Sequence, residues 1–163
     1  LETNTTGNYN IAIGFKALES SNASSGVAIG YQALLDNTTG ASNAAVGYEA
    51  MRENTTGGDN NAFGYQALYS NTTGASNTAV GHKALTTNTT ADYNTAVGRY
   101  ALGLNTTGAR NTAVGSFSQD ATGNGSYNTS VGYNSAGNNQ SSYNTALGYY
   151  ALGGEGGATT AVL

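Results

Sequence analysis

The sequence predicts an all-β chain, a parallel β-solenoid of about nine 17-residue coils forming one repeat-built domain over residues 1–163. Three observations lead there: a glycine that returns at an almost fixed interval, small and β-branched residues alternating before it, and a corner rich in Asn and Gly after it. The glycine recurs as Gly14, Gly30, Gly47, Gly64, Gly81, Gly98, Gly115, Gly132 and Gly148, at intervals of 16, six times 17, and 16. A unit this short cannot hold a helix pair, which takes roughly 33 residues or more. It fits one turn of a solenoid, expected here to carry two short strands and two corners.

The first strand of the unit ends at the glycine. An apolar residue precedes it in every coil, from Ile13 and Ile29 to Val131 and Leu147. One place earlier stands a small one, from Ala12 and Ala28 to Ser130 and Ala146. This alternation suits a strand, centred on the residue before each glycine, whose faces meet different neighbours. Pairs such as Ala33-Leu34, Ala67-Leu68 and Ala101-Leu102 follow three and four places after the glycine and are expected to supply the second wall of a thin core. Next comes the corner, Asn-Thr-Thr-Gly at Asn37, Asn54, Asn71 and Asn105, because Asn and Gly tolerate left-handed backbone. Four places before the glycine, Asn10, Asn43, Asn60, Asn77, Asn94, Asn111, Asn128 and Asn144 form a column that is expected to hydrogen-bond along the rod as an amide ladder. Strands stacked about 4.8 Å apart would make a rod of roughly 45 Å, each coil contacting only its neighbours.

Composition excludes several classes. Charged residues make up 9% of the chain and net charge is −4, with five Lys and Arg in all. Nucleic acid and anionic membranes need a basic patch and are not expected partners. There is no Cys, hence no disulfide or thiolate metal site. No stretch approaches the ~18 apolar residues of a membrane span. Leu1 already lies inside a repeat, so the chain is expected to be a segment of something longer.

The columns Asn-Thr-Ala-Val-Gly-ring and Ala-Leu resemble the head repeats of trimeric autotransporter adhesins, roughly Asn-Ser-Val-Ala-Ile-Gly. Gly26-Val27-Ala28-Ile29-Gly30 carries the likeness best. Similar repeats occur in bacteriophage tail fibres. The likeness runs from about Leu1 to Ala151, with a unit longer than that of the adhesin heads. It implies a left-handed β-roll, a homotrimer, an extracellular place on a virion fibre or bacterial surface, and attachment to a host receptor or glycan. Independently, a coil so poor in large apolar residues gains core by association.

No enzymatic chemistry and no cofactor are expected. The single histidine, His82, occupies the column after the glycine, where Phe15, Tyr31, Tyr48, Tyr65, Tyr133 and Tyr149 stand elsewhere. No acid, base or nucleophile recurs beside it. The acidic residues share no column, and Asp120-Ala121-Thr122-Gly123-Asn124 is the best single calcium candidate. The tyrosine column has two readings: rings that pack between subunits or flank the core, and a surface that stacks on sugars. Ten Asn-x-Ser/Thr sequons, at Asn4, Asn22, Asn37, Asn54, Asn71, Asn88, Asn105, Asn124, Asn128 and Asn139, follow from corner chemistry and are glycan acceptors only in a glycosylating source. The alternative function is ice binding through Thr78, Thr95, Thr112, Thr129 and Thr145. That column lapses to Ile11, Val27, Ala44 and Asn61 in the first coils.

The coils of Gly115 and Gly132 depart from the pattern, with Ser118-Gln119 and Ser135-Ala136 in place of Ala-Leu. A looser zone is expected over Gly115–Ser141, unless Phe117 turns inward to restore the lost burial.

Overall fold

A computed structural model describes residues 3–120, 124–138 and 140–153. Among the described residues nine strands form one parallel sheet in sequence order: β1 (Ile11–Ile13), β2 (Val27–Ile29), β3 (Ala44–Val46), β4 (Asn61–Phe63), β5 (Thr78–Val80), β6 (Thr95–Val97), β7 (Thr112–Val114), β8 (Thr129–Val131) and β9 (Thr145–Leu147). Equivalent positions pair throughout, as in Ala62 with Ala79 and Phe63 with Val80. The fold is therefore the β-solenoid that the period predicts. Each strand is centred two places before the glycine, one residue earlier than expected.

Every coil closes on itself because the glycine turns the strand sharply. Gly64 has φ of 143°, and a Cβ there would lie 2.4 Å from the Gly81 carbonyl oxygen of the next coil. Backbone angle and close approach both demand glycine.

The second wall corrects the sequence reading. One strand forms per coil, not two. After the glycine the chain runs through turns, and in the fourth coil Gln66 and Leu68 each have φ of 51°. A left-handed residue cannot continue a strand. A third such residue, Asp59 at φ 59°, precedes the strand. The same three positions are left-handed in all nine coils. Coil-to-coil bonding continues through them: the Gln66 N–H donates to Tyr48 O at 2.9 Å, and the Leu68 N–H to Ala84 O at 3.0 Å.

The core is narrow. The central Ala of each strand from β2 to β7 faces inward and is fully buried, against the Ala-Leu pair of the second wall. One large apolar side chain per coil is fully buried in the first six: Leu18, Leu34, Met51, Leu68, Leu85 and Leu102. This cluster ends at Ala113, and a small separate one holds Ala136, Ala146 and Ala151 with Leu152. Between them the interior is polar: Ser118, Gln119, Ser130 and Ser135 are all buried. The Ser118 hydroxyl donates to Ser130 O at 3.1 Å, Ser130 to Ser135 O at 2.7 Å, and Ser135 to Ala146 O at 3.1 Å. Phe117 does not turn inward. It is left-handed at φ 58°, and its ring stacks outside on Tyr100. Of the altered corners, residues 121–123 and 139 lie outside the described residues.

Candidate surfaces and ladders

Because each strand turns its small residue inward, its two flanking side chains face out. The column before the glycine is thus an apolar ridge along the rod: Ile13, Ile29, Val46, Phe63, Val80, Val97, Val114, Val131 and Leu147. Six of the nine are exposed and the other three half-buried. Beside it runs the column holding Ile11 and Val27 at one end and Thr78, Thr95, Thr112, Thr129 and Thr145 at the other. No charged residue falls in either column. Nine strands about 4.8 Å apart and three residues long make this face roughly 40 Å by 10 Å.

A second surface is built from rings. Phe15, Tyr31, Tyr48, Tyr65 and His82 stack in sequence, with centroids 5.0–5.4 Å apart and planes within 15° of parallel. Tyr133 and Tyr149 stack likewise at 5.5 Å. The in-register coils set this spacing, and the stacking occupies ring faces with neighbouring rings. The rings remain 41% to 75% exposed for Tyr31 to Tyr149, so edges and hydroxyls meet solvent. A sugar needs a free ring face for stacking, so the regular part of this column offers little of the platform that the sequence suggested. In the sixth and seventh coils the ring moves one place on, to Tyr100 and Phe117, and Arg99 and Ser116 stand in the column itself. The line breaks there: His82 and Tyr100 are tilted by 54°, and Phe117 and Tyr133 by 76°.

The asparagines form two systems, and the expected one behaves differently from the reading. Those four places before the glycine bind mostly backbone. Asn43 Oδ1 accepts the Asn60 N–H at 2.9 Å, and Asn43 Nδ2 donates to Gly57 O at 2.8 Å. Asn60, Asn77, Asn94, Asn111 and Asn128 repeat the pattern, and Asn144 ends it with an amide contact to Asn128 at 3.2 Å. The true amide ladder is in the corner. Asn54 Nδ2 donates to Asn37 Oδ1 and Asn71 Nδ2 to Asn54 Oδ1, both at 2.7 Å; Asn88 and Asn105 continue it. These five side chains are buried with Nδ2 engaged, so the corner sequons are closed to glycosylation in the fold. Asn22 and Asn124 are exposed sequons. Asn105 Oδ1 has no partner among the described residues, nor do Gln119 Oε1 and Asp120 Oδ1.

Asp120 is half-buried over Gly103. Burial pushes its carboxyl up to about 6, against a smaller opposite effect of the Leu104 and Gly103 backbone N–H groups. Residues 121–123 of the calcium candidate lie outside the described residues. Among the described residues no group of three His, Asp or Glu gathers to hold a metal, and no helix is long and apolar enough to cross a membrane. No family model matches the chain, and neither a curated protein nor a solved structure matches it.

Proposed function

We propose that the chain is a shaft or head segment of a homotrimeric surface fibre, on a phage tail or a bacterial surface. Its role is mechanical and adhesive, with no catalytic step. The observation that carries this reading is the uncharged outer face of the sheet, with its unbroken apolar ridge from Ile13 to Leu147. An exposed apolar patch of a few hundred Å² is often functional. The narrow core gives the physical reason for association. With one large side chain buried per coil, the chain leaves its strand-face residues to be covered by copies of itself. Sedimentation should show a trimer at micromolar concentration. Val80→Lys, Val97→Lys and Val114→Lys together should yield monomers with an unchanged circular dichroism spectrum, because these side chains point away from the core. A wild-type chain that stays monomeric would overturn the reading.

One observation favours a second reading. Thr78, Thr95, Thr112, Thr129 and Thr145 stand beside Val80, Val97, Val114, Val131 and Leu147 on the outer side of the sheet. A regular Thr/Val lattice on a flat face is what ordering of surface water into ice requires. Thermal hysteresis of a monomeric chain would establish it, and its absence would remove it.

A further inference from the structure

The break in the ring column concentrates positive charge. Tyr100 is its hub: the His82 centroid lies 5.5 Å away, Lys83 Nζ 5.8 Å, Arg99 Cζ 5.1 Å, and Phe117 is stacked at 5.6 Å. Arg99 Cζ is also 5.1 Å from the Phe117 centroid, so its guanidinium flanks both rings. Neither Lys83 nor Arg99 has an acidic partner: the ion pairs among the described residues are Lys16–Glu19 and Arg52–Glu53. Among the described residues no side-chain hydrogen bond holds either cation. Elsewhere cations are used up: Arg110 lies over Tyr93 and Tyr127 and donates to the Tyr127 hydroxyl at 3.2 Å. The acid nearby is Asp120, whose Oδ1 is buried beside Gly103 and which forms no ion pair with either cation among the described residues.

We propose that His82, Lys83, Arg99, Tyr100 and Phe117 form a lateral binding site for a carboxylated saccharide. It deepens the attachment reading above by giving it a place on the rod and a ligand chemistry. A guanidinium presents a planar fork of donors that matches a carboxylate, and Lys83 adds a second charge on the same ring. The Tyr100–Phe117 pair interrupts the regular stack: His82 and Tyr133 are tilted away from parallel, so neither outer ring face of the pair is covered by a parallel ring and the C–H surface of a pyranose can stack there. The site holds two fixed cations on a chain of net charge −4. That suits a short ligand with one carboxylate per sugar ring and disfavours nucleic acid, which carries a charge about every 1.7 Å of duplex axis.

The repeat supplies substitutions that the fold already accepts. The Arg99 column carries Tyr in five other coils, and the Lys83 column carries Gln at Gln32 and Gln66. Calorimetric titration of the full chain with oligogalacturonate, at low and high salt, is the test, with neutral xylo-oligosaccharides of equal length as control. Oligogalacturonate should bind, more weakly at high salt, and the neutral sugar should bind at least about tenfold less tightly. Arg99→Tyr and Lys83→Gln should each lose about tenfold in affinity, the scale of one charge-assisted hydrogen bond, with circular dichroism unchanged. Absent binding, equal affinity for the neutral sugar, or unchanged affinity in both variants overturns the site. Sedimentation of the same samples keeps the readings apart: a monomer that still binds through Arg99 overturns the fibre assembly and leaves this site standing.

Discussion

The coils of Gly47, Gly64 and Gly81 and those of Gly115 and Gly132 share one backbone path and have different interiors. In the former, Ala, Ala and one Leu or Met per coil fill the core, and the corner amides run unbroken. In the latter, serine hydroxyls bond to the backbone of the next wall, and the large buried side chain is Gln119 or is missing at Ala136. Strand register is kept across both, Ala113 pairing with Ser130 and Ser130 with Ala146. The difference shows that backbone ladders fix the shape of the coil while the interior sets its stability. A satisfied hydroxyl is tolerated inside but adds little, whereas a buried Leu contributes about 1.5–3 kcal/mol relative to exposure.

Four experiments break or sharpen that contrast. Asn71→Ala should have the largest effect. It orphans Asn54 Oδ1, at about 1–3 kcal/mol, while Asn88 Nδ2 keeps Ala91 O and Gly74 O keeps Asn60 Nδ2. Thermal denaturation should show a loss of about 2–4 kcal/mol once the lost hydrogen bonds are included, and a shift under about 1 kcal/mol would mean that water enters the corner. Hydrogen exchange by segment comes next. Amides of residues 60–102 should be protected about tenfold or more beyond those of 115–138, and equal protection would show that the serine network replaces the lost apolar burial. Gln119→Leu should then raise stability by about 1–2 kcal/mol, since it removes an orphaned carbonyl oxygen and restores the Leu column. A destabilised variant would show that Gln119 Oε1 has a partner in solution.

The smallest effect is a pH dependence. The Asp120 carboxyl is raised to about 6 in the fold, above its unfolded value, so the folded chain binds this proton more tightly. Stability from this group is present below the unfolded value and is lost as pH rises through about 6. Wild type should therefore gain stability relative to Asp120→Asn between pH 7 and pH 5, by less than about 1 kcal/mol because the group is half-exposed. Parallel pH curves for the two proteins would rule the effect out.

The period was legible because it rests on backbone geometry, which leaves a mark in every copy. The strand was read one residue late, and left-handed backbone was expected at the Asn-Thr-Thr-Gly corner, whereas it falls in the columns of Asp59, Gln66 and Leu68. Which strand residue faces inward was not legible. Ala62 and Phe63 are both apolar, and burial alone would favour the larger. The walls approach so closely that only the Ala fits, and Phe63 is left outside. The two Asn columns look alike in sequence, yet a continuous run of amide-to-amide bonds forms from Asn37 to Asn105, because the corner brings their side chains into line along the rod. Phe117 was the side chain placed to restore burial if the coil of Gly115 were not looser. Its left-handed backbone belongs to an outward column, and the ring follows it. The second wall read as a strand because Ala67-Leu68 is apolar. The opposing signal was that no Val, Ile or Thr occupies the Leu68 column in any coil. The same residues are missing from the columns of Gln66 and Asp59, and β-branched side chains are the ones least able to adopt positive φ.

Those three left-handed columns also govern how the rod assembles. A residue in this conformation costs roughly 1–2 kcal/mol on its own, so a lone coil bears three such penalties with nothing against which to hydrogen-bond. A neighbour removes the disadvantage, as when Asp59 donates to Ala41 O and Gln66 to Tyr48 O. The first docked pair of coils is thus a costly nucleus, and each later coil is cast on the one before it. Duplicating the Gly64 coil should raise the unfolding free energy while barely changing the folding rate; a rate that scaled with coil number would contradict a single nucleation step. Growth by templating gives the chain the kinetics of a polymer: slow to start, quick to extend, and committed to one register from its first contact.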